Sequence, residues 1–183
     1  AEAEADFNKA IECDSAYLLS YFNRALVYSD TNRPMLALAD FDKVIQLDST
    51  NSLTYFNRAM LRTQIGDYNR ALEDYDRVAL YSPNNVLVYY HRAGVYAQLG
   101  ELEKAVADYT SAIDLYPDFA NAYIYRGRLR EVLRDPKGAK RDLETAQRKI
   151  AEYRSRLSDS TYSIYADTTQ RFDRLLSFDS KFS

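Results

Sequence analysis

The chain has 183 residues, 46% of them hydrophobic, which is enough apolar material for the core of an ordinary domain and disfavours disorder. Its formal charge of -3 disfavours a general attraction to nucleic acid or anionic lipid. The single Cys13 and single His91 cannot form an internal disulfide or a Cys/His zinc site, and no run of about 20 apolar residues predicts a membrane span.

The first predicted element is a lone helix in residues 1–17. Ala3, Phe7 and Ala10 follow helical spacing and stand at the places that second helices occupy in the repeats that follow. They match a second helix whose first helix is missing, so we expect the array to continue upstream in a longer protein. Phe7 and Ile11 would be exposed on this helix. A second copy of the chain could cover them, so a homodimer through this helix is one possible assembly.

Four predicted units of 34 residues come next, and each consists of two helices. Gly66 and Gly100 mark the turns between the helices of two of these units, as expected where a helix ends. The units are 18–51, 52–85, 86–119 and 120–153, of which the last is degenerate and has a long second helix. Their shared motif is Tyr21-Phe22-Asn23-Arg24-Ala25, Tyr55-Phe56-Asn57-Arg58-Ala59, Tyr89-Tyr90-His91-Arg92-Ala93 and Tyr123-Ile124-Tyr125-Arg126-Gly127.

The repeat phase ends after about residue 153. Tyr162, Tyr165 and Phe172 still follow helical spacing, and Ser and Asp residues before them are candidate N-caps. Residues 154–183 are therefore predicted to form a capping helix, which covers the last unit's apolar face, and a frayed tail.

A spaced pattern of large, small and proline residues recurs in the units. In the second unit it consists of Tyr55, Ala59, Gly66, Tyr68, Ala71, Tyr75, Val78 and Pro83. This pattern is similar to that of the tetratricopeptide repeat family over about residues 1–153. The resemblance implies an all-α, right-handed α-solenoid of helix-turn-helix repeats. Arg62 and Arg130 depart from the family pattern, because they occupy a place that is usually aromatic.

The most regular polar signal is an arginine on each first helix and an aspartate on each second helix. Four stacked arginines could grip an acidic ligand, or each arginine could pair with the aspartate of its own or the adjoining unit. The constant spacing favours structural pairing, since a buried arginine needs a carboxylate. The predicted pairs are Arg24/Asp40, Arg58/Asp74, Arg92/Asp108 and Arg126/Asp142.

No catalytic constellation is visible in the sequence. It lacks a glycine-rich phosphate loop, a G-x-S-x-G motif and a His/Cys cluster with metal spacing. The acidic residues recur once per turn or once per repeat, as they do on solvated helix faces. We therefore predict no enzymatic activity, no cofactor and no metal.

The family resemblance implies that the other face of each first helix lines a concave groove for a ligand peptide. Aromatic rings with interleaved amides suit an extended or helical peptide, although such stripes are also typical of a core. The clamp of Lys, Arg and Asn with which some relatives hold chaperone tails is not matched. The groove residues are Phe22, Asn23, Leu26, Phe56, Asn57, Met60, Tyr90, His91, Tyr125 and Arg128.

The resulting prediction is a non-catalytic scaffold that binds another protein or peptide. Self-association through the repeat ends is the alternative. An RNA-binding helical-repeat array is a third interpretation, which the acidic balance disfavours.

Overall fold

The computed structural model describes residues 2–13 and 17–158, and every regular element in these segments is a helix. This confirms the predicted all-α fold. The helices described are α1 (Glu2–Cys13), α2 (Leu18–Asp30), α3 (Pro34–Leu47), α4 (Ser52–Gln64), α5 (Tyr68–Tyr81), α6 (Val86–Gln98), α7 (Leu102–Leu115), α8 (Ala120–Val132) and α9 (Pro136–Ser158).

The chain forms two compact units, Ala1–Pro117 and Asp118–Ser183. In the first unit α2 packs on α3, α4 on α5 and α6 on α7, and we call each such helix pair a hairpin. Within this unit each hairpin contacts the next, and α1 packs on α2. In the second unit α8 packs on α9, which continues past the predicted boundary at residue 153 to Ser158. The exact repeat limits stay a prediction, and the predicted capping helix in 154–183 lies outside the described residues from 159 onward.

Small residues allow the two helices of a hairpin to approach closely. Ala25 on α2 and Ala37 on α3 are both fully buried. In the second unit, a Cβ at Gly127 of α8 would lie only 3.3 Å from the Ala139 carbonyl oxygen of α9, so a larger residue would push the helices apart. Large rings from the second helices fill the space beside these contacts, and burial of each contributes about 1.5–3 kcal/mol. They are Phe41, Tyr75 and Tyr109.

The turn inside each hairpin places one residue in the left-handed region. Gly66 and Gly100 occupy this place with φ of 79° and 78°, as expected of glycine after a helix. Asn32 and Arg134 stand at the same repeat position with φ of 55° and 60°. Asparagine tolerates this conformation moderately well, whereas arginine has no side-chain group that compensates for the steric cost. Arg134 is therefore a strained position.

α1 is held to the following hairpin by polar contacts as well as by packing. The guanidinium of Arg33 donates to both oxygens of Glu4 at 3.1 and 2.9 Å. This hydrogen bonding lowers the pKa of Glu4 below its ordinary value. Phe7 and Ile11, which we expected to be exposed, are half-buried. Their burial reduces the apolar surface that a homodimer through α1 would require.

We expect Arg134→Gly to raise the free energy of unfolding by about 1 kcal/mol, because glycine adopts a positive φ without a Cβ clash. Urea denaturation measures this change. Gly100→Ala is the matched reverse variant and should lower stability by about 1 kcal/mol, since it adds a Cβ at φ 78°. A loss of stability in Arg134→Gly would contradict our interpretation of the turn.

Candidate functional site

One arginine–aspartate pair connects the two helices of each of the four hairpins. The arginine comes from the first helix and the aspartate from the second. Nε and Nη2 of the guanidinium donate to the two carboxylate oxygens, an arrangement that matches the planar shapes of both groups. The two donor–acceptor distances are 2.7 and 2.7 Å for Arg24–Asp40, 2.9 and 2.6 Å for Arg58–Asp74, 2.7 and 2.8 Å for Arg92–Asp108, and 2.9 and 2.7 Å for Arg126–Asp142.

In the first unit each of these arginines also reaches the second helix that precedes its hairpin. Its remaining nitrogen, Nη1, donates to a side-chain oxygen there. Each guanidinium thus connects three helices. It pairs within its own hairpin and also with the helix that precedes that hairpin. The second partners are Asn8 for Arg24 at 2.7 Å, Asp42 for Arg58 at 2.5 Å and Asp76 for Arg92 at 2.7 Å.

The pairs are largely withdrawn from solvent, and Asp74 is only 2% exposed. Burial alone would lower the pKa of Arg58, but the hydrogen bonds and charges of Asp74 and Asp42 outweigh this effect and raise the pKa. Hydrogen bonding to Asp108 likewise raises the pKa of Arg92. The guanidiniums also lie near tyrosine rings of their own helices: Arg24 near Tyr21 and Tyr28, Arg58 near Tyr55, Arg92 near Tyr89, and Arg126 near Tyr123, at 5.5–5.7 Å from the ring centroids.

Two further arginines join these pairs, a role that the spacing of the sequence did not predict. Arg62 on α4 donates to Asp74 at 2.7 Å, and Arg130 on α8 donates to Asp142 at 2.8 Å. Both aspartates therefore bind two arginines each. The signal in the sequence was the departure of these two positions from the aromatic family pattern. The corresponding residues of the other two hairpins are Tyr28 and Tyr96.

A cleft of about 520 Å³ opens beside the Asp74 cluster, between α4 and α5. Arg58 and Arg62 form part of its wall, but both are bonded to Asp74. Asp76, also in the wall, is bonded to Arg92. Because these three side chains are already paired within the protein, we assign the cleft no ligand. Its complete lining is Tyr55, Arg58, Arg62, Arg70, Glu73, Asp74, Asp76 and Arg77.

The first helices α2, α4 and α6 carry the residues that the resemblance assigns to a peptide groove. On α2, Leu19, Phe22, Asn23 and Leu26 are spaced i, i+3, i+4 and i+7, which places them on one side of the helix. Phe22 packs on Phe41 of α3 with ring centroids 5.9 Å apart and is half-buried. Leu19, which is not among the predicted groove residues, is 51% exposed. We call the surface formed by these positions and their equivalents 34 and 68 residues later the A-helix face. It consists of Leu19, Phe22, Asn23 and Leu26 of α2, Leu53, Phe56, Asn57 and Met60 of α4, and Leu87, Tyr90, His91 and Gly94 of α6.

The rings of α4 and α6 differ in how deeply they are buried. Phe56 is half-buried and contacts Tyr75 and His91 with centroid distances of 6.0 and 5.6 Å. Tyr90 is only 5% exposed and packs on Tyr109 at 5.7 Å. The ring of Tyr90 therefore belongs to the core, contrary to its expected place in the groove, because it points between the two helices of its hairpin.

The other expected groove residues are partly accessible. Asn57 is half-buried and donates one amide hydrogen to the Leu53 carbonyl oxygen at 2.8 Å. Leu53 itself is 59% exposed and was not selected from the sequence. Met60 is half-buried. In the second compact unit, Tyr125 is 40% exposed and the Arg128 guanidinium lies 5.6 Å from its ring centroid.

The described part of the chain contains no group of three or more His, Cys, Asp or Glu side chains placed to hold a metal ion. None of its helices is both long enough and apolar enough to cross a membrane. Within residues 2–13 and 17–158, no buried side-chain nitrogen or oxygen lacks a hydrogen-bond partner. The polar side chains inside these hairpins are therefore satisfied by the protein itself.

Family models described as tetratricopeptide repeat match residues 18–51 and 56–120, together more than half of the 183 residues. The chain belongs to the tetratricopeptide repeat family. The matched residues contain the pairs α2/α3 and α6/α7 and, apart from the first turn of α4, the pair α4/α5, in agreement with the resemblance of the spaced motif. No curated protein matches the chain in sequence.

Several solved structures share the fold at low sequence identity. A crystal structure of MamA has a TM-score of 0.80 and 22% identity, over 83% of this chain and 89% of that chain. MamA from Desulfovibrio magneticus RS-1 has a TM-score of 0.77 and 19% identity, over 87% of each chain. The first tetratricopeptide domain of Spaghetti (RPAP3), bound to the HSP90 peptide SRMEEVD, has a TM-score of 0.61 and 21% identity, over 66% of this chain and 95% of that chain. At these identities the likeness establishes the fold alone.

We expect Asp74→Ala to lower the free energy of unfolding by about 3–5 kcal/mol, because it leaves two arginines that are only 12% and 14% exposed, Arg58 and Arg62, without their shared carboxylate. Chemical denaturation measures the loss. Asp76→Ala is the control: this side chain is 60% exposed, so its removal should cost about 1 kcal/mol or less. Equal, small losses in both variants would rule out a structural role for the buried pair.

Proposed function

We propose that the protein is a non-catalytic scaffold that binds a peptide segment of another protein on the A-helix face. The observation that carries this proposal is the exposure of apolar side chains at equivalent positions of successive helices. Leu19 is 51% exposed and Leu53 is 59% exposed, and both stand beside half-buried phenylalanines, Phe22 and Phe56. Exposed leucines beside half-buried phenylalanine rings form an apolar surface that an apolar side chain of a ligand can cover.

The arginine–aspartate pairs contribute to this function indirectly. They lie on the opposite side of α2, α4 and α6 and tie each of these helices to two neighbours. A binding surface whose backbone is already fixed loses little conformational entropy when a ligand binds. The proposed role of the pairs is therefore to hold the A-helix face in place rather than to contact the ligand.

Self-association and RNA binding remain the alternatives to this proposal. The half-burial of Phe7 and Ile11 gives self-association through α1 little support. RNA binding would require a basic surface, yet Arg24, Arg58 and Arg92 all pair with carboxylates. A steep dependence of RNA affinity on salt would nevertheless favour that interpretation.

The double variant Leu19→Glu, Leu53→Glu tests the proposed surface. Both residues lie in the first turn of a helix, where glutamate interacts favourably with the helix dipole, so folding should be preserved. The measurement is quantitative mass spectrometry of proteins that co-purify from a lysate of the source organism. We expect specific partners of the wild type to decrease about tenfold, because two carboxylates would be desolvated in the interface.

Leu80→Glu provides the matched control, since Leu80 is 66% exposed but lies on the second helix α5. This variant should retain the partners that the double variant loses. Circular dichroism and thermal unfolding establish that all three proteins are folded. Equal recovery of every partner by the wild type and both variants would contradict binding on the A-helix face.

A further inference from the structure

The A-helix face of α2, α4 and α6 carries no formal charge. Positions 19, 22, 23 and 26 of α2, and the equivalent positions 34 and 68 residues later, include no Asp, Glu, Lys or Arg. Their polar side-chain groups are the amides of Asn23 and Asn57, the imidazole of His91 and the hydroxyl of the buried Tyr90. The absence of charge at all these positions limits the chemistry of a ligand that this face can bind.

The cations of these three helices are committed elsewhere. Arg24, Arg58 and Arg92 each hold a buried aspartate in a two-point contact, and Arg62 donates to Asp74. No other Lys or Arg occurs in α2, α4 or α6. A carboxylate-rich peptide would thus lose its hydration on the A-helix face without gaining a cationic partner there. A basic peptide would find no acidic partner at these positions either, since the only acidic residue of α2, α4 and α6 is Asp30 at the end of α2.

Gly94 on α6 leaves a gap in the apolar surface. At the equivalent positions α2 has Leu26 and α4 has Met60. A Cβ at Gly94 would meet only the Tyr109 hydroxyl, at 3.9 Å, which is an ordinary van der Waals contact. The packing therefore does not require glycine here, although glycine inside a helix costs about 1 kcal/mol relative to alanine. By contrast, a Cβ at Gly127 would lie within 3.2–3.4 Å of three atoms of α9, so that glycine has a structural reason.

We infer that the A-helix face binds an uncharged, apolar peptide segment, and that one large side chain of this segment occupies the gap over Gly94. This inference rests on the proposed function and specifies its ligand. The exposed leucines contact the apolar side chains of the peptide. The Oδ1 atom of Asn57, whose amide nitrogen donates to Leu53, accepts a hydrogen bond from the peptide backbone. The acidic sequence SRMEEVD, which is bound to the structurally similar domain of Spaghetti (RPAP3), is not a ligand of this face.

Selection from a phage library of random dodecapeptides tests the ligand class. Peptides are selected on the wild type, and those that also bind the Leu19→Glu, Leu53→Glu variant are removed. We expect the remaining peptides to be enriched in Leu, Met, Phe and Trp and depleted in charged residues. Enrichment of acidic or basic peptides, or binding of synthetic SRMEEVD that the double variant abolishes, would overturn the inference while leaving the proposed function intact. Recovery of no face-dependent peptide would instead overturn the proposed function itself.

The gap is tested with the tightest selected peptide and two substitutions at one position. Gly94→Met should weaken binding about tenfold or more, because its side chain fills the space that the ligand needs. Gly94→Ala should raise the midpoint of thermal unfolding and affect binding less, since alanine favours the helix and adds a single methyl group. Unchanged affinity in a folded Gly94→Met protein would show that no ligand side chain occupies this gap.

Discussion

An arginine that is largely withdrawn from solvent requires a counter-charge. The bonds that satisfy this constraint connect the helices of the first compact unit. Arg58 satisfies it twice, with Asp74 in its own hairpin and Asp42 in the preceding one. Repeat proteins depend on contacts within each repeat and on contacts between neighbouring repeats. Here one guanidinium contributes to both kinds of contact. A change at such a residue should therefore affect the hairpin and its packing on the hairpin before it.

The same constraint separates the two sides of the first helices. One side holds the arginines and their carboxylates, and the other side, the A-helix face, consists of apolar and uncharged polar residues. Because the cations are bonded to carboxylates of the protein, they add no unpaired charge to the A-helix face. The interpretation of this face as a site for an uncharged peptide thus follows from where the charges lie, as much as from the leucines themselves. Gly94 adds a place where the surface is open rather than filled.

The period of the sequence was sufficient to predict the helix pairs, because every pair repeats the same apolar spacing. It was less informative where neighbouring positions of one helix differ in burial. Phe22 is half-buried whereas its equivalent Tyr90 is buried, since the depth of a ring depends on the residues of the adjacent helix. Arg62 was recognised only as a departure from the family pattern. Its bond to Asp74 depends on the distance between two helices, which sequence spacing does not give.

A double-mutant cycle on Arg92 and Asp108 tests the central claim most directly, because among the described residues Arg92 is the one arginine that bonds to this aspartate. The free energies of unfolding are measured for Arg92→Met, Asp108→Leu and the double variant. We expect each single variant to lose about 3–5 kcal/mol and the double variant to lose less than the sum of both, since it leaves neither charge buried alone. Strictly additive losses would contradict the account, because they would mean that the two side chains do not depend on each other.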